Sequence, residues 1–414
     1  MKIQWRVLIH WITFPVCFTI HSLSFSEEDL SAVIKHIQSS VVTVLPYDKN
    51  GEVLNGGTGF FINRDGHMVT NIHVLQGATS AQIKTAYGRT YTITNILAQD
   101  NEAGLVLASV DIPPRLVHPL ILSTTIPDEG ERVIVIGSPS DHEQRVSDGT
   151  ISGISKIPTF GTIMKITTPL SLDRSCGPVL NMRGEIIGLV TFQSPENQNI
   201  KFAIHTTRVE KLIPYKDIHH NRWIEGEAGA WFSSEEGLCN RGIFYLAAED
   251  YRDALSCFEK AVKINPRYAS AHFFTGYSED ALGQYQEAIG AYRQAVRIEP
   301  YFVEAHLSLG KVYDRLERYA DAVESYKHVA RIQPENHEAN YKIGKICSML
   351  GRHTEAVKAL KQAIRIKPDF AEAHLSLGTV YLNRGDKELA LEEYKILKDL
   401  NRDAANGLFN LIFK

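Results

Sequence analysis

Two units of different secondary structure are predicted for this chain of 414 residues: an all-β unit followed by an all-α repeat. Short β-branched runs separated by turn signals predict the first unit, from about residue 41 to residue 213. A 34-residue period of prolines, glycines and alanines predicts the second unit, from about Glu235 onward. The length agrees with this division, because one domain commonly has about 100 to 200 residues.

The composition restricts the class of protein. Hydrophobic residues make up 44% and charged residues 22%, as in soluble globular proteins. The 44 basic and 48 acidic residues give a net charge of -4 without a long block of like charge, so nucleic acid is not an expected partner. The five cysteines form no CxxC pair and no zinc-like spacing. We therefore expect no disulfide framework, no metal and no cofactor.

The first 26 residues have the pattern of a secretory signal peptide. Lys2 and Arg6 precede an apolar stretch at residues 7–20, and Ser24 and Ser26 supply small residues at a cleavage site. This stretch is shorter than the ~20 residues that a membrane-spanning helix needs. The sequence therefore predicts a periplasmic or secreted protein. An uncleaved segment that anchors the chain to a membrane is the alternative.

The β unit is predicted to span residues 27–213. Its apolar runs occupy residues 41–44, 59–62, 133–136 and 186–190. Between the second and third runs, Asp65-Gly66 predicts a hairpin turn, because glycine readily adopts the positive φ that such a turn needs. Residues 214–234 follow neither period and are interpreted as a linker, in which the adjacent His219 and His220 are expected to face solvent rather than a metal.

The prediction of a helical repeat rests on three residue types that share one period. They are Pro266, Pro300, Pro334 and Pro368; Gly242, Gly276, Gly310, Gly344 and Gly378; and Ala254, Ala288, Ala322, Ala356 and Ala390. We expect glycine and alanine to let antiparallel helices approach closely, and proline to end the second helix of each pair. Bulky aromatic residues are expected to fill the gap between repeats: Phe258, Tyr292, Tyr326 and Tyr394.

This pattern resembles the tetratricopeptide repeat, or TPR. About five repeats are predicted over residues 235–402, followed by a capping helix at residues 404–413, so the unit spans residues 235–414. The first helix of each repeat lines a concave groove in such a solenoid. Matching places in successive repeats form rows along this groove. One row contains Tyr277, Lys311 and Lys345 and a neighbouring row contains Tyr341, so aromatic and basic groups would face a protein partner there. The alternative is that the two tyrosines only pack.

A histidine and a serine stand out in the β unit. His73 follows an apolar strand in the segment TNIHV, and Ser175 lies in the turn DRSCGP. A serine within reach of a histidine forms a nucleophile and its general base.

These segments resemble the HtrA/Deg type of trypsin-like serine protease, whose patterns are similar to TNxHV and GNSGGP. The segment NIKFAI at residues 199–204 is similar to the NIGFAIP strand of that family, and the resemblance covers about residues 34–212. It implies a double six-stranded β-barrel and a protein or peptide substrate. It also implies that Ser175 attacks the scissile carbonyl, that His73 takes the proton, and that the backbone N–H groups of Asp173 and Ser175 form the oxyanion hole. The PDZ module of that family is absent from the sequence, and the repeats stand in its place.

This sequence differs from the family pattern at residues that take part in catalysis. Gly104 occupies the place of the catalytic aspartate, and glycine cannot orient an imidazole. Loss of that orientation costs about 10⁴ in turnover in the best-studied protease. Asp100, Glu102 and Asp111 are alternative carboxylates if the loop bends differently.

The serine turn and the neighbouring strand also depart from the family. Asp173, Arg174 and Cys176 replace residues of the GNSGGP pattern, and Lys201 replaces a glycine near the specificity pocket. Cys176 is expected to be a small buried thiol rather than a nucleophile. Two functions remain open from the sequence: a serine endopeptidase with attenuated activity, and an inactive pseudoprotease that binds peptides on a TPR scaffold.

Overall fold

The computed structural model describes residues 37–137, 145–168, 177–193, 199–212, 214, 223–224, 227 and 229–413. The predicted signal peptide and the His219-His220 pair lie outside these residues. Among the described residues, no helix has both the length and the apolar character needed to cross a membrane.

The first barrel contains six antiparallel strands, closed in the order β1-β2-β3-β6-β5-β4. The strands are β1 (Val41–Tyr47), β2 (Gly57–Phe61), β3 (His67–Asn71), β4 (Ser80–Lys84), β5 (Thr90–Asp100) and β6 (Leu105–Val110). The predicted turn lies between β2 and β3, where Gly66 has a φ of +79°. A short helix, α1 (Ile72–Leu75), directly follows β3.

The second barrel is closed in the order β10-β11-β12-β9-β8-β7. Its strands are β7 (Arg132–Gly137), β8 (Arg145–Ile157), β9 (Gly161–Thr167), β10 (Pro178–Asn181), β11 (Ile186–Gln193) and β12 (Ile200–His205). A 3₁₀ helix at Thr206–Lys211 follows β12. The prediction of a double six-stranded barrel is confirmed.

Eleven helices follow between residues 235 and 412. They are α2 (Glu235–Ala247), α3 (Tyr251–Ile264), α4 (Ala269–Ala281), α5 (Tyr285–Ile298), α6 (Val303–Arg315), α7 (Tyr319–Ile332), α8 (His337–Met349), α9 (His353–Ile366), α10 (Ala371–Arg384), α11 (Lys387–Leu400) and α12 (Arg402–Ile412). Each repeat proline comes two residues after the end of a second helix, for example Pro266 after Ile264. The predicted all-α repeat is confirmed.

The aromatic residues of the repeat contact the next repeat and also pack inside their own. The ring of Phe258 on α3 stacks on that of Phe274 on α4 of the next repeat, with centroids 5.3 Å apart, which confirms the expectation for this residue. A Cβ added at Gly276 on α4 would lie 2.9 Å from the ring of Tyr292 on α5, in the same helix pair. Gly310 stands in the same relation to Tyr326, at 2.7 Å. The period therefore encodes the packing within each helix pair as well as contacts between successive repeats.

The first repeat packs directly on the second barrel. The ring of Phe244 on α2 stacks on that of Phe192 on β11, with centroids 5.3 Å apart and planes 2° apart. Phe160 and Phe202 contact the same Phe244 ring, and Ser155 Oγ donates a hydrogen bond of 3.2 Å to the carbonyl of Ala247. The two units therefore share one apolar core.

Candidate active site

His73 lies in the first barrel, on the short helix that follows β3 and next to the loop that precedes β6. It is the second residue of α1, half-buried between the buried Ile72 and Val74. The backbone N–H of Ile72 donates a 2.8 Å hydrogen bond to the carbonyl of Gly104. Pairing of β3 with β6 sets Asn71 opposite Leu105. The structure therefore brings His73 next to position 104, as the resemblance implies.

The space at position 104 is filled by a tryptophan from the predicted linker. Gly104 has a φ of +67°, and a Cβ added there would lie 2.8 Å from two ring carbons of Trp231. Trp231 is 8% exposed and belongs to the core of the first barrel. An indole thus lies against the backbone position where the resemblance expects a carboxylate.

Three contacts hold this part of the linker in place. The backbone N–H of Trp231 donates to Gln76 Oε1, and its indole Nε1–H donates to the carbonyl of Asn101 at 3.2 Å. Phe232 follows in the same 3₁₀ turn, Ala230–Ser233. Its ring packs on the imidazole of His73, with centroids 4.9 Å apart and planes tilted by 37°. The linker is therefore part of the site.

Sequence reasoning missed Trp231 and Phe232. The signal was the presence of large aromatic residues in a segment interpreted as a linker, because such side chains are seldom left in solvent. Their partners, however, are more than a hundred residues earlier in the chain and carry no motif.

Two of the three alternative carboxylates are bound to an arginine of the second barrel. Asp100 accepts hydrogen bonds from Arg208, one of them 2.9 Å from Nη2, and from the backbone N–H of Ala103 at 3.0 Å. Glu102 accepts from Arg208 Nη2 at 3.0 Å. Asp111 is exposed and comes after the far end of β6, about 20 Å along the strand from Gly104.

Arg208 is held at the junction of the two barrels. Its side chain is 12% exposed, and its guanidinium lies 4.8 Å from the ring centroid of Phe160. Burial disfavours the charged guanidinium, but the hydrogen bonds that it donates to Asp100 and Glu102, together with their negative charges, outweigh this and raise the pKa of Arg208 above its usual value. The loop at residues 100–104 is thereby fixed to the second barrel.

The residues of the serine turn lie outside the described part of the chain, including Asp173, Arg174, Ser175 and Cys176. The glycine at the end of this turn is described. A Cβ added at Gly177 would lie 1.6 Å from the carbonyl oxygen of Ile136 on β7, so only glycine fits there. Lys201 is fully buried on β12, where it pairs with Ile166 of β9.

The four predicted groove residues lie on first helices of successive repeats. Tyr277, Lys311 and Lys345 each follow the repeat glycine, on α4, α6 and α8. Both lysines are exposed, whereas Tyr277 is half-buried. Tyr341 is also half-buried and packs on Phe370, with ring centroids 5.0 Å apart. The lysines are thus available to a ligand, and the tyrosines have packing partners as well.

Comparison with known proteins assigns both units. The model of the trypsin-like peptidase domain matches residues 57–189. Models of the tetratricopeptide repeat match residues 239–301, 281–346 and 346–385. The chain combines a trypsin-like peptidase domain with TPR repeats.

Curated proteins similar to this chain include HtrA-type serine proteases. Serine protease HTRA1A of Danio rerio is 27% identical over 205 residues, which is 47% of this chain and 42% of that protein. Serine protease HTRA4 of Mus musculus is 29% identical over 213 residues, 48% and 42% of the two chains. The anti-sigma-I factor RsgI9 of Acetivibrio thermocellus is 28% identical over 175 residues, 42% and 24%. The chain spans less than half the length of these relatives.

Solved structures similar to this chain include two proteases. The active form of the Rv3671c protease from M. tuberculosis is 19% identical, with a TM-score of 0.42, and covers 54% of this chain and 99% of that chain. The serine endoprotease from Yersinia pestis is 23% identical, with a TM-score of 0.39, and covers 44% and 64%.

Proposed function

We propose that this protein is a serine endopeptidase of attenuated activity, in which the TPR unit binds a protein substrate or regulator. Ser175 is the nucleophile and His73 is its general base. The observation that supports this proposal is the placement of a half-buried imidazole on α1, beside the loop at residues 100–104 of a trypsin-like barrel.

The proposal that the endopeptidase activity is attenuated rests on Gly104. This residue supplies no carboxylate, and the nearby Asp100 and Glu102 are engaged by Arg208. A trypsin-like site whose aspartate is changed loses about 10⁴ in turnover, but keeps about 10³ to 10⁴ over the uncatalysed reaction through the oxyanion hole and substrate binding. Slow hydrolysis is therefore the activity that this site supports.

A second function, peptide binding without hydrolysis, is favoured by one observation. Trp231 and Phe232 form a largely apolar wall beside His73. A domain that no longer catalyses hydrolysis does not need a carboxylate beside the histidine, so an apolar wall is tolerated there. Such a domain serves as a binding module.

Labelling with a fluorophosphonate separates the two functions, because this reagent forms a covalent bond with an activated serine. We expect slow labelling of the parent protein, and loss of labelling in Ser175→Ala. The control is Ser152→Ala, at an exposed serine on β8, which should label like the parent. Labelling that persists in Ser175→Ala would show that another residue is the nucleophile. A parent that is never labelled would favour the binding module.

The TPR unit is proposed to bind an acidic peptide segment. Lys311 and Lys345 occupy matching places one repeat apart, and neither forms an ion pair within the described part of the chain. An acidic partner relieves the repulsion between such like charges, so the affinity should fall as salt is added.

The prediction is that Lys311→Glu combined with Lys345→Glu abolishes capture of partner peptides, because both charges reverse. Affinity can be measured with an acidic peptide by fluorescence anisotropy at two salt concentrations, with circular dichroism to verify that the helices remain. The matched control reverses two exposed lysines on second helices, Lys263→Glu and Lys358→Glu. Equal loss of binding in both double variants would show that the effect is net charge rather than the groove.

We also propose that the protein is exported to the periplasm or secreted. This proposal is supported by the basic, apolar and small-residue pattern of residues 1–26. A membrane becomes a partner only if this segment stays uncleaved.

A further inference from the structure

The aromatic pair beside His73 is fixed by the first repeat as well as by the barrel. Ser234 caps α2 by accepting a hydrogen bond from the backbone N–H of Gly237, and its own hydroxyl donates to the carbonyl of Trp231 at 2.8 Å. Arg241 Nη2, also on α2, donates to the carbonyl of Phe232 at 3.2 Å. The backbone of the 3₁₀ turn is thus tied to the start of the TPR unit.

The fit between this turn and α2 depends on one glycine. A Cβ added at Gly237 would lie 1.8 Å from the carbonyl oxygen of Trp231. The helix can therefore approach the turn this closely only because position 237 has no side chain.

The first two repeats also hold the loop on the other side of Trp231. Asn240 Nδ2 on α2 donates a 2.6 Å hydrogen bond to the carbonyl of Glu102, and Ser270 Oγ on α4 donates to Glu102 Oε1 at 3.1 Å. The loop at residues 100–104, which would carry the third catalytic residue of a trypsin-like site, is instead a docking point for the TPR unit.

A general base must keep its imidazole in one orientation, because a misplacement of about 1 Å can cost on the order of 10²-fold in rate. A carboxylate fixes this orientation by accepting a hydrogen bond from the imidazole. A packed aromatic ring can also restrict rotation of an imidazole, because aromatic rings in contact prefer particular mutual orientations. Phe232 is in contact with the His73 ring and is anchored through its own backbone.

We propose that Phe232 is a positioning residue that orients His73, with Trp231 as its support, and that α2 of the TPR unit thereby completes the protease site. This inference rests on the proposed function of His73 as a general base. It gives the linker and the first repeat a role in catalysis, in addition to the partner binding proposed for the TPR unit.

The test measures the mobility of the His73 ring and the rate of serine labelling separately. Histidines of the purified protein are labelled with ¹³C at Cε1, the His73 signal is assigned with His73→Gln, and its relaxation reports ring motion independently of ring-current shifts. In Phe232→Ala we expect a more mobile His73 ring and about tenfold slower fluorophosphonate labelling. Phe232→Tyr, which keeps the ring, should restore both.

Phe409→Ala is the matched control, because Phe409 is an exposed aromatic residue on α12. It should leave ring motion and labelling unchanged. An unchanged His73 ring in Phe232→Ala would overturn the proposal, and so would faster labelling, which would show that Phe232 blocks the site. If the parent is never labelled, the endopeptidase function fails, whereas the ring relaxation still decides whether Phe232 orients His73.

Discussion

Replacing Gly104 with aspartate is expected to destabilise the fold and to slow any hydrolysis, although it restores the residue type found in trypsin-like sites. The added Cβ would lie 2.8 Å from the indole of Trp231. Overpacking of this kind costs about 1–3 kcal/mol. The indole or the loop must therefore shift, and Phe232, the next residue after Trp231, shifts with it away from His73.

Unfolding by urea and labelling with a fluorophosphonate measure the two effects. Gly104→Ala carries the same Cβ without a carboxylate and should destabilise similarly. Gly88→Asp is the matched control for backbone strain, because Gly88 has a φ of +77° with nothing within 4 Å of an added Cβ. We expect it to cost only about 1–2 kcal/mol.

The double variant Gly104→Asp with Trp231→Ala makes space for the carboxylate. Trp231→Ala alone should cost about 3–5 kcal/mol, because it empties a buried aromatic site. The double variant is expected to label faster than Trp231→Ala alone, since the new carboxylate can then approach His73. If Gly104→Asp alone raises the labelling rate above the parent, Trp231 does not exclude a carboxylate from this site.

Replacing Arg208 with methionine is expected to lower the free energy of unfolding by about 3–5 kcal/mol, because it leaves carboxylates unpaired at a largely buried site. The side chain of Asp100 is 16% exposed and that of Arg208 is 12% exposed. The loss should be smaller when Asp100→Asn is combined with Arg208→Met, since the unpaired charge of Asp100 is then removed.

The control for this measurement is Arg183→Met, which breaks the ion pair with Glu185 at an arginine that is 67% exposed. Exposed pairs of this kind contribute about 0–1 kcal/mol. Urea titration of all variants measures the difference. Equal losses in Arg208→Met and Arg183→Met would show that Arg208 is not needed to fix the loop at residues 100–104.

The helical unit was the most predictable part of the chain. Its glycines, alanines and prolines recur because every helix pair meets the same local packing problem, so a period in the sequence translates directly into structure. The period did not show, however, that the aromatic rings also pack on the glycine of their own repeat, as Tyr292 does on Gly276.

The site was predictable only in part. His73 and its neighbourhood follow from a local motif and a family resemblance. The environment of Gly104 does not, because Trp231 reaches it from another part of the chain and no local pattern links the two. A glycine in place of an aspartate indicated a missing group, whereas the structure shows that the space beside it is filled by an indole.

The stack of Phe192 on Phe244 has a consequence for how such chains diversify. Repeat modules are usually exchanged between proteins as independent segments joined by tolerant spacers. Here the first helix of the module supplies part of the apolar core of its neighbour, so a different module inserted at this junction would leave apolar surface of the barrel uncovered. We therefore expect the first repeat to be inherited together with the barrel that it covers.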